Sequence, residues 1–254
     1  MNDRREIRLE LEVPGTPEQV WDAIATGPGI TSWFVPAELD GERLTLDFGP
    51  GAVIDHRVTA AERPHRFVYE AESKGDVSAF EWLVEAGSGG TCVVRFVQSG
   101  FEHGSSWDED FDGLSSGWPM FLFNLKLYAT HFAGQPCTPV LVSGTHPEPR
   151  EPAWEEYAAA LGVAGAAEGD RVDTPLAAGT VVRRQGTTLT LLLEEPAPGY
   201  AFFAAEGRGE QAYLSAWLYL FGDGAAEAAP EAQAAGQTWI EERYPAEEPS
   251  APGG

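Results

Sequence analysis

Asp108, Asp110, Asp112 and Gly113, in "DEDFDG", stand at the spacing of the first six positions of a calcium-binding loop. In such a loop carboxylates at positions one, three and five and a glycine at six wrap the ion. Position twelve should supply a bidentate Glu and is Pro119, and apolar flanking helices are missing. The acids therefore read as the start of a helix, where they complement the positive end of its dipole. His103, Ser105 and Ser106 in "GFEHGSSW" are of the types that make a base and a nucleophile, but no strand-to-helix Gly-x-Ser-x-Gly elbow accompanies them. Gly87-Ser88-Gly89-Gly90 is a hairpin tip and not a phosphate loop, because no helix follows it. The histidines show no His-Glu-x-x-His spacing, and neither Cys92 nor Cys137 pairs with them. No metal, no cofactor and no catalytic residue is assigned.

The informative chemistry lies in polar residues set among alternating apolar ones. In "VSAFEWLVEA" a strand period puts Phe80, Trp82 and Val84 on one face. In "TCVVRFVQSG" it groups Val94, Phe96 and Gln98, with Arg95 on the other side. Ile54, His56 and Val58, and Phe67 with Tyr69, fall on the same side by the same logic. An apolar wall with three polar groups, His56, Tyr69 and Gln98, is the composition of a site that orients a small molecule.

These residues need a frame. "REIRLELEV" alternates as a strand, Thr16 caps a helix that starts at Pro17, and Gly27 ends it before a short helical turn leads to Trp33, Phe34 and Pro36. "ERLTLDF", "GAVIDHRVTAAE", "HRFVYEAE", "VSAFEWLVEA" and "TCVVRFVQSG" follow as strands separated by turn residues, and a long helix runs from about Asp110 to Ala133. On a helical wheel Trp118, Phe121, Leu122, Leu125, Ala129 and Phe132 share one face, the lid over the sheet. Met120, Phe123 and Leu127 form a second stripe, for which the C-terminal segment is the nearest cover. The order strand, two short helices, antiparallel strands, long helix predicts an α+β domain whose sheet curls around the helix and leaves room between them.

"TPEQVWDAIATGPGITSWFVP" and "GFEHGSSWDEDFDGLSSGWPMFLFNLKLY" carry a Thr-Pro-x-x-Val-Trp helix start, the Trp33-Phe34 pair, and Gly117-Trp118 opening an apolar helix to Tyr128. Over about residues 5 to 135 the chain resembles the START-like, or SRPBCC, superfamily. Within it the chain is similar to the domain of the activator of the heat-shock-protein-90 ATPase, the AHSA type. The resemblance implies a helix-grip fold around an apolar cavity. It does not fix an activity, because the superfamily includes carriers, cyclases, hydrolases and chaperone-associated modules.

Domain expectations are a helix-grip domain at 1–135, a Pro-rich linker at 136–152, a smaller α+β domain at 153–244 read as a reduced START-like unit, and a disordered tail at 245–254. Forty acidic against 16 basic residues give a net charge of -24, which repels phosphate backbones and anionic lipid. Nucleic acid and membrane are therefore not expected partners. With no apolar segment marking secretion or insertion, the chain reads as cytoplasmic. The functional expectation is binding of a small hydrophobic or aromatic molecule, without required catalysis. Its walls would be Trp33, Phe34, His56, Tyr69, Phe80, Trp82, Phe96, Gln98, Trp118, Phe121, Leu122 and Leu125. The alternatives are a cyclase-, aromatase- or hydrolase-like enzyme using His56 or Tyr69, and a protein-binding module that regulates a chaperone ATPase. The oligomeric state is left open.

Overall fold

The computed structural model describes residues 5–49, 51–73, 76–101, 117–207 and 209–245. The aspartate-rich stretch 108–113 and His103, Ser105 and Ser106 lie outside them. The chain divides into two compact units, Met1–Pro136 and Cys137–Gly254.

The first unit opens with β1 (Arg5–Pro14) and helix α1 (Pro17–Ile24). The α1 start is a capping box: the Gln19 N–H donates to Thr16 Oγ1 and the Thr16 N–H donates to Gln19 Oε1. Val20, Trp21 and Ile24 are buried on one face, as the pattern predicts. Gly27 begins a helix and does not close one, because Thr26 caps α2 (Gly27–Thr31). A Cβ at Gly29 would meet the Asp22 carbonyl at 1.9 Å, so only glycine lets α2 fold back this closely on α1.

Then come β2 (Ala37–Asp40), β3 (Arg43–Asp47), β4 (Val53–Glu62), β5 (Arg66–Ser73), β6 (Asp76–Ala86) and β7 (Thr91–Phe101). They pair in the order β1-β7-β6-β5-β4-β3-β2, antiparallel at every described junction. The described part of the long helix, α3, spans 117–127 and continues as a π-helical turn at Tyr128–Phe132. Trp118, Leu122 and Leu125 on its sheet-facing stripe are buried; Met120 and Phe123 are half-buried and Leu127 is buried.

The second unit departs from expectation at its start. Residues 137–146, read as linker, are strand β8 (Cys137–His146), in register with β13 along its whole length. Its Pro139 misled the sequence reading, yet proline is tolerated on a margin strand with hydrogen bonds on one side only. After it come α4 (Arg150–Ala160), β9 (Arg171–Asp173), β10 (Ala178–Gln185), β11 (Thr188–Glu195), β12 (Gly199–Glu206), β13 (Ala212–Phe221) and α5 (Ala225–Arg243). The sheet order is β8-β13-β12-β11-β10-β9. In both units the first strand pairs with the last and the others follow as a meander, so the second unit repeats the winding of the first with one strand fewer.

The core of the second unit is filled by Val140, Val142, Leu189, Leu191, Phe203, Leu214 and Leu218 from the sheet, with Ala153, Trp154 and Tyr157 from α4. His146 joins α4 to the sheet: its Nδ1 accepts the Glu148 N–H at 3.1 Å, which leaves Nε2 to donate to Glu156 Oε2 at 3.1 Å. Helix α5 lies along β8. Gln233 bonds both backbone groups of Leu141, at 3.0 and 2.6 Å, and Gln237 both of Ser143, at 3.3 and 3.0 Å. A Cβ at Gly236 would stand 2.6 Å from Val142 Cγ2, so the helix docks with no gap.

Candidate functional site

Register fixes which side chains face α3. Ile7, Gln98, Phe80, Tyr69 and Val58 are direct partners across β1, β7, β6, β5 and β4, and Leu9, Phe96, Trp82 and Phe67 form the neighbouring row. His56 stands opposite Leu44 on the same face. Opposed residues point to one side of a sheet, so the alternation read from sequence places these side chains where the register puts them.

Trp118 is the hub. Its ring lies 4.1 Å from Phe96 and 5.8 Å from Trp82 and stacks on Phe34 at 5.2 Å, while its Nε1–H donates to Gln98 Oε1 at 2.7 Å. Phe34 meets Phe121 at 4.6 Å and Trp33 at 5.5 Å, and Trp33 meets Trp82 at 5.5 Å. The Trp33 Nε1–H is satisfied by the Ala23 carbonyl at 2.9 Å. Leu122 and Leu125 are buried on the same stripe of α3. Phe48, which sequence reasoning did not place, adds an edge contact to Phe34 at 5.6 Å. Its position after "ERLTLD" carries no signal that it turns inward.

A second group surrounds His56. Its ring meets Tyr69 edge-on at 5.2 Å and Phe80 at 5.5 Å, and those two rings stack at 4.9 Å. The two groups join where Phe80 approaches Trp118 at 6.4 Å. Burial pulls the His56 imidazole below its ordinary pKa, which keeps it neutral at pH 7. Burial also pushes the Tyr69 phenol well above its ordinary range.

Covering is uneven. Trp82 and Phe96 are fully buried, but Phe80 and Phe121 are half-buried, and Ile54, an inner-face residue opposite Leu46, is 44% exposed. His56 Nδ1 and Trp82 Nε1 are buried and fall short of full hydrogen-bond geometry: the imidazole interacts with the backbone of Ile54 and Leu44 and the indole with the Tyr69 hydroxyl. Buried polar atoms are nearly always bonded, so each exception calls for an explanation. Asn124, on the flank of α3 between its two stripes, is likewise buried with both amide atoms unpartnered among the described residues.

The outer face of the sheet has a different character. Arg43 pairs with Asp55, Arg57 with Glu70, Arg66 with Glu62 and Glu81, and Arg95 with Glu10 and Glu85. A cleft of about 620 Å³ is bordered by these ion-paired residues, Arg43, Asp55, Arg57 and Glu70, with Asp40, Glu42, Glu72, Ala71 and Val77, and it also reaches His56. Among the described residues no group of three His, Cys, Asp or Glu side chains could hold a metal ion, and no helix is long and apolar enough to cross a membrane.

A curled antiparallel sheet closed by a long C-terminal helix, with an aromatic interior between them, defines the helix-grip, START-like class. Residues 14–130 match the family described as Activator of Hsp90 ATPase homolog 1-like protein. Among solved structures, a Mesorhizobium loti protein is 22% identical over 50% of this chain and 98% of its own, with a TM-score of 0.45. Aha1 from Colwellia psychrerythraea, solved as a dimer, is 18% identical over 49% of this chain and 96% of its own, at 0.42. DynU16, from the dynemicin biosynthetic locus, is 19% identical and aligns over 94% of this chain and 98% of its own, at 0.43. No curated protein matches.

Proposed function

We propose that the first unit binds a small hydrophobic or aromatic molecule on the inner face of its sheet, at the end marked by His56, Ile54 and Phe80, and that this binding needs no catalysis. The observation that supports the reading is an aromatic wall around the buried His56 whose outer members, Phe80 and Phe121, stay half-buried while Ile54 is exposed. Apolar walls with a few convergent polar groups are what small-molecule sites consist of.

The competing reading, a protein-binding module, draws on the ring contacts at 4.1 to 4.5 Å among Trp118, Phe96 and Trp82, which leave no ligand-sized gap at that point. The two readings separate experimentally. Aromatic compounds that bind should raise the melting temperature by mass action and change tryptophan emission, because Trp33, Trp82 and Trp118 line the interior. An aromatic and lipid library that moves neither signal, together with native mass spectra free of a co-purifying molecule, would overturn the small-molecule reading.

A further inference from the structure

We propose that the outer face of the first sheet docks a basic segment of a partner protein, an extended stretch in which Arg or Lys alternates with aliphatic residues such as Val. This surface lies on the side of the sheet away from α3 and does not depend on the small-molecule reading.

Apolar exposure in the first unit is concentrated at one end of its sheet. Among the described residues, its exposed large hydrophobics are Val53, Ile54 and Val77, at 58%, 44% and 48%. They open β4 and β6, which start at the same end because both run antiparallel to β5. Ile54, opposite Leu46, belongs to the inner face; Val53, opposite Asp47, and Val77, opposite Glu72, belong to the outer one. A single exposed valine is ordinary. Here, however, Val77 and Ala71 line the cleft of about 620 Å³, and Val53 lies two residues from Asp55, which lines it too.

Charge selects the occupant. Five carboxylates, Asp40, Glu42, Asp55, Glu70 and Glu72, line the cleft against two guanidiniums, Arg43 and Arg57. Asp55 holds Arg43 at 3.0 and 2.6 Å and is itself fixed by the Thr45 hydroxyl at 2.7 Å, while Arg57 reaches Glu70 at 3.3 Å. Both cations are engaged. Asp40, Glu42 and Glu72 are exposed and form no salt bridge among the described residues, Asp40 acting on Arg43 only at longer range. A partner's carboxylate would meet occupied guanidiniums and an uncompensated negative rim, inside the field of a chain of net charge -24. A cation is drawn by both.

The span of the rim requires a chain. Asp40 closes β2 and Glu72 lies on β5, three strands away in the sheet order, which is about 14 Å at the usual strand spacing. No single ion bridges that distance, whereas four or five extended residues do, at about 3.3 Å each. Exposed ion pairs are individually weak, so the charges steer and orient. Aliphatic contact supplies the rest: Arg and Lys lay their stems along apolar surface with the charged head in water, and a Val between them meets Val77 and Val53.

The test is calorimetry on the intact chain at pH 7.5 and about 0.1 M salt, a concentration that screens distant charges. The probes are a seven-residue peptide alternating four Arg with three Val, the same peptide with Ser for Val, the same peptide with Glu for Arg, and spermine, which carries four positive charges without side chains. The Arg-Val peptide should bind at least about fivefold more tightly than each of the others. Asp40→Asn with Glu72→Gln, and separately Val77→Ser, should each weaken it at least about threefold. Glu227→Gln with Glu231→Gln removes the same two charges from the exposed side of α5 and should leave binding unchanged. Equal weakening by the two double variants would assign the binding to overall charge and overturn the site. Spermine or the Arg-Ser peptide binding as tightly as the Arg-Val peptide would overturn the aliphatic contact and the proposal with it, as would silence from the Arg-Val peptide. None of these results bears on the inner face, which the aromatic library tests separately.

Discussion

The two units share one winding and close it differently. In the first, large rings fill the contact between sheet and helix, and inner-face residues at one end remain open. In the second, small residues let the elements touch. Ala201, Ala216 and Ala229 are buried, Gly236 sits against Val142, and Gly144 would bring a Cβ within 3.1 Å of Ile240. The contact between a sheet and its helix is thus made by interlocking rings in one unit and by small residues in the other. Alanine and glycine let the layers of the second unit approach closely.

The comparison breaks if truncating a ring costs the same in both. Phe203→Ala, in the filled core of the second unit, should destabilise that unit by about 3–5 kcal/mol. Phe80→Ala, half-buried at the open end of the first, should cost about 1–2 kcal/mol and instead weaken ligand binding. Hydrogen exchange read separately on β12 and β6 would show the difference, and equal losses would mean that the first unit is as solid as the second.

Adding volume probes the same contrast. Gly236→Val should destabilise the second unit by about 1–3 kcal/mol, because a stiff side chain must enter where a Cβ alone already overlaps Val142. Thermal melting that left the second unit unchanged would refute the tight docking of α5.

The smallest effect sharpens the electrostatic side. Burial holds the folded-state pKa of His56 below its ordinary 6.5, and hydrogen bonding to the backbone of Ile54 and Leu44, with the adjacent Asp55 carboxylate, only partly offsets this. The unfolded chain therefore takes up the proton first. The stability contributed by the neutral imidazole is fully present above about pH 6.5 and is lost as pH falls through the lower folded-state value. His56→Gln should flatten that part of the pH profile for the first unit, read by denaturant titration from pH 7.5 to 5. The second unit should show no corresponding change with this substitution.

Much of the first unit was legible because a strand has a period of two. Once Phe80, Trp82 and Phe96 were placed inward, the positions of Tyr69, His56 and Gln98 followed, and the register agrees. The capping box at Thr16 was readable for the same local reason. Strand β2, "AELD", escaped notice because four residues with alternating charge give too short a pattern. β8 was hidden by its Pro, Ser, Thr and Gly content, which resembles a linker until β13 supplies its partner. The approach of the Trp82 indole to the Tyr69 hydroxyl could not be foreseen, since a tryptophan in an alternating strand shows its apolar body and not the fate of its N–H. Nor could Gln233 and Gln237 be distinguished from ordinary solvent-facing helix residues, because the backbone they bind lies on a distant strand.

Those two glutamines bear on how the molecule behaves in a crowd. β8 is ten residues long and lies at the end of its strand order, and an uncovered strand of that length is a template on which another chain can extend the sheet. The amides of Gln233 and Gln237 occupy the backbone groups of Leu141 and Ser143 much as an additional strand would. A side chain ends there, however, and offers no further rung. The helix thereby terminates a polymerisation that the sheet alone would seed, using two residues rather than a whole strand.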